Sequence, residues 1–342
     1  MTTETPVVGD TPGDVRFRSL GVARLALPLP FVEAGNTVSV YAIENPDGSL
    51  TLFDTGLATE PSRQALERGL AELGRKVEDV RRIIVSHGHI DHYGAARFIR
   101  DRSGAQVLVH PADADKVSGH GARETLLEYA GYLARLGVPG EAIARIRDTH
   151  RSHRHLAEPL DEIEPLVPGQ GFRFRHFTAT ILPMPGHTPG LVCLHVPEHR
   201  FVLTADHLLA HISPNPLLEL GPGGEAGKFQ ALVTYLESAR RLGELDLEWI
   251  LPGHGAPFTG HRAVLESLRV FYEKRQAKML RALASRPLTP YELVALVFRQ
   301  GANLDLFLML SEIVGNLEAL EARGAVARIV GEVPYRYGVV TP

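Results

Sequence analysis

The run Ile83-Ile84-Val85-Ser86-His87-Gly88-His89-Ile90-Asp91-His92 leads from apolar, strand-forming residues straight into four side chains of the types that can ligate a metal. Beyond it, Tyr93-Gly94-Ala95-Ala96-Arg97-Phe98 reads as a helix. In extended backbone, residues two apart point the same way, so His87 and His89 can grip one ion through imidazole nitrogens at ~2.0–2.1 Å. Asp91 and His92 are neighbours, and where a helix begins successive side chains fan out by roughly 100°. That pair diverges towards a second ion beside the first, so one strand-to-helix loop can feed two metals.

Four groups do not close two coordination shells, and further ligands must come from other strand ends. His187 follows Thr180-Ile181-Leu182 within Pro185-Gly186-His187-Thr188-Pro189-Gly190. Asp206 ends Phe201-Val202-Leu203-Thr204-Ala205, and His254 follows Trp249-Ile250-Leu251 within Pro252-Gly253-His254-Gly255. Each sits where a strand gives way to a loop, and neighbouring glycines let the backbone bend close to an ion. The chain has 16 histidines, and a histidine taken singly is ordinarily a surface or satisfied core residue. His207 and His211, just after Asp206, read either as lining a substrate cleft or as spare surface, and Tyr129 and Tyr132 come from a helical stretch that either walls the cleft or closes a core.

The rest of the chain reads as mixed α/β. Val38 to Ile43, Ser49 to Phe53 and Val107 to Val109 are short apolar runs between Gly, Asn and Asp, the mark of strands. Ser62 to Leu73 spaces Leu66, Leu70 and Leu73 at helical intervals. Strands return at Phe172 to Phe174, Thr180 to Leu182, Leu191 to Val196, Phe201 to Leu203 and Trp249 to Leu251, with a helix from about Lys228 to Leu242, so two sheets are expected. Between the halves, residues 112–164 read as a helical insertion that includes Glu124 to Leu136. After Pro257 come helices from Arg262 to Ala284, from Thr289-Pro290-Tyr291-Glu292 onwards, and from Asp305 to Arg323. The tetrad has a Thr cap, Pro at the first helical position and Glu three residues after the cap. Ala325 to Val330 with Tyr335 to Tyr337 looks like a hairpin, and three helices followed by a hairpin make a winged-helix pattern. The expected domains are a loose tail at 1–14, a catalytic α/β domain at 15–260 and a small winged-helix-like domain at 261–342.

With 342 residues, 44% of them hydrophobic, the chain is long enough for a large core. Its one cysteine, Cys193, excludes an intrachain disulfide and reads as a small buried strand residue. A net charge of -4 provides no general field for a polyanion, so neither a nucleic-acid partner nor an anionic membrane is expected. The first residues have neither the basic start nor the apolar stretch of a signal peptide. No segment reaches the ~18 apolar residues that span a bilayer, and the expected location is cytoplasmic. A homodimer is left open.

The stretch His87 to His92 meets in full the H-x-H-x-D-H signature of the metallo-β-lactamase superfamily, which the chain resembles over roughly residues 15–260. The resemblance implies an αββα sandwich with His87, His89 and His187 on one metal, Asp91, His92 and His254 on the other, and Asp206 bridging. Asp54, in Phe53-Asp54-Thr55-Gly56, is similar to the family's early strand-end aspartate, which orients a ligand histidine from behind. Two divalent ions are implied, Zn²⁺ first, with Mn and Fe accepting the same donors. Asp91 and Asp206 are the implied catalytic carboxylates.

Two ions held by neutral imidazoles and only two carboxylates leave one position for a bridging water. Zn²⁺ lowers the pKa of bound water from ~15.7 to about 7, so hydroxide is available without a side-chain base and hydrolysis is the implied reaction. Asp206 argues against antibiotic hydrolysis, because true β-lactamases of the family lack the bridging aspartate. Gly186 to Gly190 is similar to the motif of glyoxalase II and related thioesterases, while the C-terminal pattern resembles the lactamase-β-like endoribonuclease branch. The helix from Asp305 to Arg323 carries Glu312, Glu318 and Glu321, the wrong sign for a phosphate-lined groove. A small-molecule substrate, a thioester or ester of a small or medium acyl group, is therefore favoured. The alternatives are a metal-dependent endoribonuclease or phosphodiesterase, a lactonase, a di-iron redox enzyme, and a winged-helix binding protein.

Overall fold

Strands that alternate inward and outward residues build two sheets, each with one face against the other sheet and one face under helices. The structure, a computed structural model, describes residues 7–32, 35–119, 122–221, 224–298 and 305–340, with backbone alone at 122–127. The first half comprises α1 (Pro12–Arg18), β1 (Val22–Pro28), β2 (Thr37–Glu44), β3 (Leu50–Phe53), α2 (Glu60–Glu72), β4 (Val80–Ile84), α3 (Ile90–Tyr93), α4 (Ala96–Ser103), β5 (Gln106–Val109), α5 (Ala114–Ser118), α6 (Ala122–Arg135), α7 (Gly140–Ser152) and β6 (Glu164–Pro165). The second half holds β7 (Gly171–Arg173), β8 (Thr178–Pro183), β9 (Val192–Val196), β10 (Phe201–Ala205), β11 (Glu219–Gly221), β12 (Gly224–Phe229), α8 (Ala231–Glu244), β13 (Trp249–Pro252) and β14 (Phe258–Thr259). The chain then adds α9 (His261–Leu283), α10 (Pro290–Val297), α11 (Leu306–Ala322), β15 (Val326–Arg328) and β16 (Tyr337–Val339).

One six-stranded sheet runs β1 to β6 in chain order, and the other runs β14-β13-β10-β9-β8-β7. In β2, Val38, Val40 and Ala42 face Leu66 and Leu70 of α2 and Ile99 of α4, while Tyr41 and Ile43 face the second sheet. There they meet Ile181, Leu194, Phe201 and Leu203. The far face of the second sheet, with Cys193, Val202 and Ile250, packs on Leu242 of α8 and on Leu265 and Leu268 of α9. Helix, sheet, sheet and helix layers result, and Cys193 is buried as a strand residue.

Strand direction decides where loops gather. β3, β4 and β5 are parallel, as are β10 and β13, and β8 shares the direction of β10 through two antiparallel pairings with β9. Their carboxyl ends, the usual location of a site in an open α/β sheet, meet along one edge. The sheets are stitched there by Ser39 N donating to Gly253 O at 2.7 Å and Val192 N donating to Ser86 O at 2.9 Å.

The helical insertion and the C-terminal region share one interior. Tyr132, Leu133 and Leu136 of α6 and Ile146 of α7 pack with Met279 of α9, Leu293 of α10, Leu310 and Leu317 of α11 and Tyr337 of β16. The expected boundary near residue 260 is therefore not a boundary of packing. The helices and the hairpin follow in the anticipated order. Glu312 and Glu318 of α11 point into this interior, paired with Arg275 and Lys228. No helix among the described residues is long and apolar enough to cross a membrane.

Three local readings need correction. Residues 7–14 of the expected loose tail are packed: Val7 is buried, Val8 bridges to Leu25, and buried Asp14 pairs with Arg24 at 2.8 Å. Residues 1–6 of that tail lie outside the described residues. The missed signal is Thr11-Pro12-Gly13-Asp14, a capping box of the same kind as the one at Thr289. Lys228 belongs to β12, and α8 begins at Ala231. Tyr93 and Ala96 do not share one helix, because the chain breaks between α3 and α4. Leu126 and Leu127 fall among the side chains outside the description.

The shared interior has a measurable consequence. Leu310→Ala, at a fully buried position, is predicted to lower stability by about 2–5 kcal/mol in denaturant unfolding, with one transition for the whole chain. A separate early transition would show that the C-terminal helices fold as their own unit.

Candidate metal centre

The carboxyl ends of β4, β8, β10 and β13 bring five histidines and two aspartates together. The ligating atoms of His87, His89 and His187 lie within 4.8 Å of one another, as do those of Asp91, His92 and His254 and those of His87, His92 and Asp206. Asp206 stands between the groups, with Oδ1 3.4 Å from His92 Nε2 and Oδ2 3.5 Å from His187 Nε2 and 3.3 Å from His254 Nε2. Asp91 Oδ2 lies 3.4 Å from His254 Nε2 and 3.6 Å from His92 Nε2. All seven residues anticipated from the strand ends are thus placed in one cluster.

Local backbone features aim these side chains. The pairing of β10 with β13 shifts register between Leu203 and Ala205, and Ala205 takes a φ of 46°. Such a bulge re-aims the next side chain, here Asp206. Gly253 allows the second sheet's last loop to close on it, since a Cβ at that position would stand 2.3 Å from Asp206 Oδ1. Asp91 and His92 lie inside the single turn α3, which starts directly after His89.

Four of the five rings are also held from their outer side. His187 Nδ1 donates to Asn215 O at 3.0 Å and His254 Nδ1 to Thr37 O at 2.8 Å, which turns Nε2 of both rings toward the cluster. His92 Nδ1 meets Asp54 Oδ2 at 2.8 Å. Buried Asp54 also accepts from Ser86 N at 2.7 Å and Ser86 Oγ at 2.8 Å, and Ser86 Oγ in turn sits 2.9 Å from His87 Nδ1. The Asp54 backbone has a φ of 67°, a left-handed conformation that Asp tolerates better than most residues.

Whether a cation fits is tested by the atoms left over. His92 Nε2, His187 Nε2 and Asp206 Oδ1 are buried without a hydrogen-bond partner, whereas buried polar atoms are ordinarily paired. Converging imidazole nitrogens and carboxylate oxygens form the kind of set that holds a first-row divalent metal once the rings are neutral. The electrostatics agree. Burial pushes the His87 and His89 rings well below their ordinary pKa. At His254 burial is outweighed by Asp206, which lifts the ring to about 9, and at His92 by Asp206, Asp91 and Asp54 together. Asp206 is held well below the usual carboxylate range because His254 and His92 outweigh its burial. Negative charge concentrated on Asp91 and Asp206 thus favours a positive partner.

The residues anticipated to line a cleft are placed differently from one another. Tyr132 is buried in the interior shared with the C-terminal helices, and His207 is fully buried against Tyr235, ring centroids 5.2 Å apart, so neither lines a cleft. His211 is exposed, and half-buried Tyr129 donates its hydroxyl to Leu218 O at 2.9 Å. Sequence reasoning missed two contributors. Asn215 orients His187 from the loop after β10, and Asp113, after β5, bonds the loops around Gly88 and Thr188.

An αββα sandwich with such a cluster at its strand ends defines a metallo-hydrolase. The chain belongs to the metallo-beta-lactamase superfamily, whose family model matches residues 34–254. It is 30% identical over 312 residues to a Bacillus subtilis (strain 168) protein described as probable metallo-hydrolase YqjP, over 89% of this chain and 93% of that one. It is 24% identical over 254 residues to the Homo sapiens protein named acyl-coenzyme A thioesterase MBLAC2, over 72% of this chain and 82% of the relative. Among solved structures, metallo-beta-lactamase family protein TTHA1429 from Thermus thermophilus superposes with a TM-score of 0.78 at 29% identity, covering 94% of this chain and 99% of that chain.

The unpaired atoms make metal binding a stability effect. Chelator-stripped protein is predicted to gain about 2.7 kcal/mol in chemical unfolding at a Zn²⁺ concentration of ~100 Kd. Asp206→Ala is predicted to gain far less at that concentration, and equal gains would separate the cluster from metal binding.

Proposed function

We propose that this hydrolase holds two divalent cations, zinc in the first place, and cleaves a thioester or ester of a small or medium acyl group. His87, His89 and His187 take one ion, Asp91, His92 and His254 the other, and Asp206 is shared. The observation that carries the reading is the convergence of these seven side chains around buried His92 Nε2, His187 Nε2 and Asp206 Oδ1, which lack a hydrogen-bond partner. The chemistry such an ion pair supplies is Lewis acidity, which brings the pKa of a water down to about 7 and polarises the carbonyl under attack.

The chain's own residues do the rest. Asn215 and Thr37 carbonyls keep His187 and His254 in the tautomer that presents Nε2 inward. Asp206 ties the two groups together through His92, His187 and His254 and so fixes their separation. The Asp91 side chain is 14% exposed, at the rim of the cluster, where its carboxylate can accept a hydrogen bond from the attacking water and orient it.

Three features favour an acyl substrate over a nucleic acid. The net charge is -4. The bases Arg275 and Lys228 are engaged by Glu312 and Glu318 and so are withdrawn from phosphates. A relative sharing 24% of its residues over most of both chains is named an acyl-coenzyme A thioesterase. The single cysteine, buried and free, suits a cytoplasmic, reducing location.

The test is a hydrolysis screen of metal-loaded protein against acyl thioesters of graded chain length, simple esters, lactones, phosphodiesters and short RNA. Thioester or ester cleavage is expected to be fastest, and His89→Ala is expected to lose roughly 10³-fold or more of the rate with unchanged far-UV circular dichroism. Cleavage of RNA or phosphodiesters alone would overturn the substrate class. Full activity in His89→Ala would overturn the site.

A further inference from the structure

Asp113 lies in the turn between β5 and α5, outside the metal cluster, and it is fully buried. Its Oδ2 accepts from Gly88 N at 2.9 Å and from Thr188 Oγ1 at 2.6 Å. Its Oδ1 accepts from Gly190 N at 3.1 Å, with the Lys116 ammonium 3.3 Å away. Gly88 separates His87 from His89, and Thr188 and Gly190 follow His187 directly. One carboxylate therefore fastens together the two loops that carry the three-histidine group. Hydrogen bonds to an ionised acceptor are about twice as strong as neutral ones.

The fit is tight enough to dictate sequence. A Cβ at Gly190 would stand 2.7 Å from Asp113 Cγ and 2.9 Å from its backbone N, so only glycine admits this approach. Lys116 neutralises the buried charge and is anchored in turn by Glu219, both of whose oxygens lie 2.6 Å from Nζ. Asp54, by comparison, touches His92 directly and reaches His87 through Ser86. Among the described residues, the side-chain hydrogen bonds of Asp113 reach only the loops of His87, His89 and His187, apart from the one to Lys116.

We propose that Asp113 is a positioning residue that sets the affinity of the three-histidine group for its ion, independently of the group built on Asp91, His92 and His254. The inference rests on the assignment of His87, His89 and His187 to one cation. Without the carboxylate, two backbone N–H groups and a hydroxyl are left buried and unpaired, and the Val192 N to Ser86 O bond remains as a tie between the His87 and His187 loops. Loss of a partner that orients a ligand typically weakens metal binding by about 10- to 100-fold.

The experiment titrates chelator-stripped protein with Zn²⁺ in competition with a chromophoric chelator. Wild type is expected to bind two ions, and the step lost in His187→Ala marks the three-histidine ion. Asp113→Ala is expected to weaken that step by about 10- to 100-fold and leave the other at its wild-type affinity. Thr188→Val, which removes one hydrogen bond and keeps the shape of the side chain, is expected to weaken the same step by a smaller factor, and it decides the matter if Asp113→Ala does not fold. Wild-type titration by both variants, or equal weakening of both steps, would overturn the role of Asp113. A wild-type protein that binds fewer than two ions would instead overturn the reading of the centre.

Discussion

Lone pairs that converge inside a protein repel one another unless something positive stands among them, and a low-dielectric setting magnifies the repulsion. His92 Nε2, His187 Nε2 and Asp206 Oδ1 converge in this way at the open edge of the sandwich. The architecture around that edge serves to keep them convergent. Strand ends deliver the residues, carbonyls of Thr37 and Asn215 grip the outer nitrogens of two rings, and Asp54 grips that of a third. Side chains locked from behind on rigid elements hold a ligand geometry better than free loops do.

The C-terminal region is joined to this centre through the loop between β10 and β11. Asn215 uses its carbonyl on His187 and its side-chain amide on Leu308 O of α11 at 3.2 Å. Pro214 O accepts from Tyr272 of α9 at 3.0 Å, and Ser311 of α11 accepts from Leu218 N at 3.1 Å. One histidine of the cluster is therefore oriented by a loop seated on helices that belong to another core. Because α6 and α7 fill the same interior as α9, α10 and α11, and packed interiors yield little, the seat is firm. The buried pairs Arg275–Glu312 and Lys228–Glu318 contribute little net stability but fix how α11 lies against α9 and β12.

Much of the candidate centre is legible in the chain itself, because the residues that cluster there are either contiguous, as from His87 to His92, or placed after an apolar run, as are His187, Asp206 and His254. The layered sandwich follows from the same runs. Asp113 is not legible, since its role depends on contacts to residues 25 and 75 positions away that only the folded loops create. Tyr132 sits on an amphipathic helix whose apolar face could meet a cleft or a core, and periodicity does not name the partner. His207 adjoins Asp206, yet the backbone after Ala205 sends Asp206 to the cluster and His207 behind it, onto Tyr235. The order of α1 escapes a compositional reading of polar, Gly- and Pro-bearing residues, although its Thr-Pro-Gly-Asp start carries a local rule.

The most direct measurement is anomalous X-ray diffraction at the zinc absorption edge from crystals grown with that metal. Two peaks are predicted, one among His87, His89 and His187 and one among Asp91, His92 and His254, with Asp206 in contact with both. A lone peak, or density at other histidines, would contradict the account.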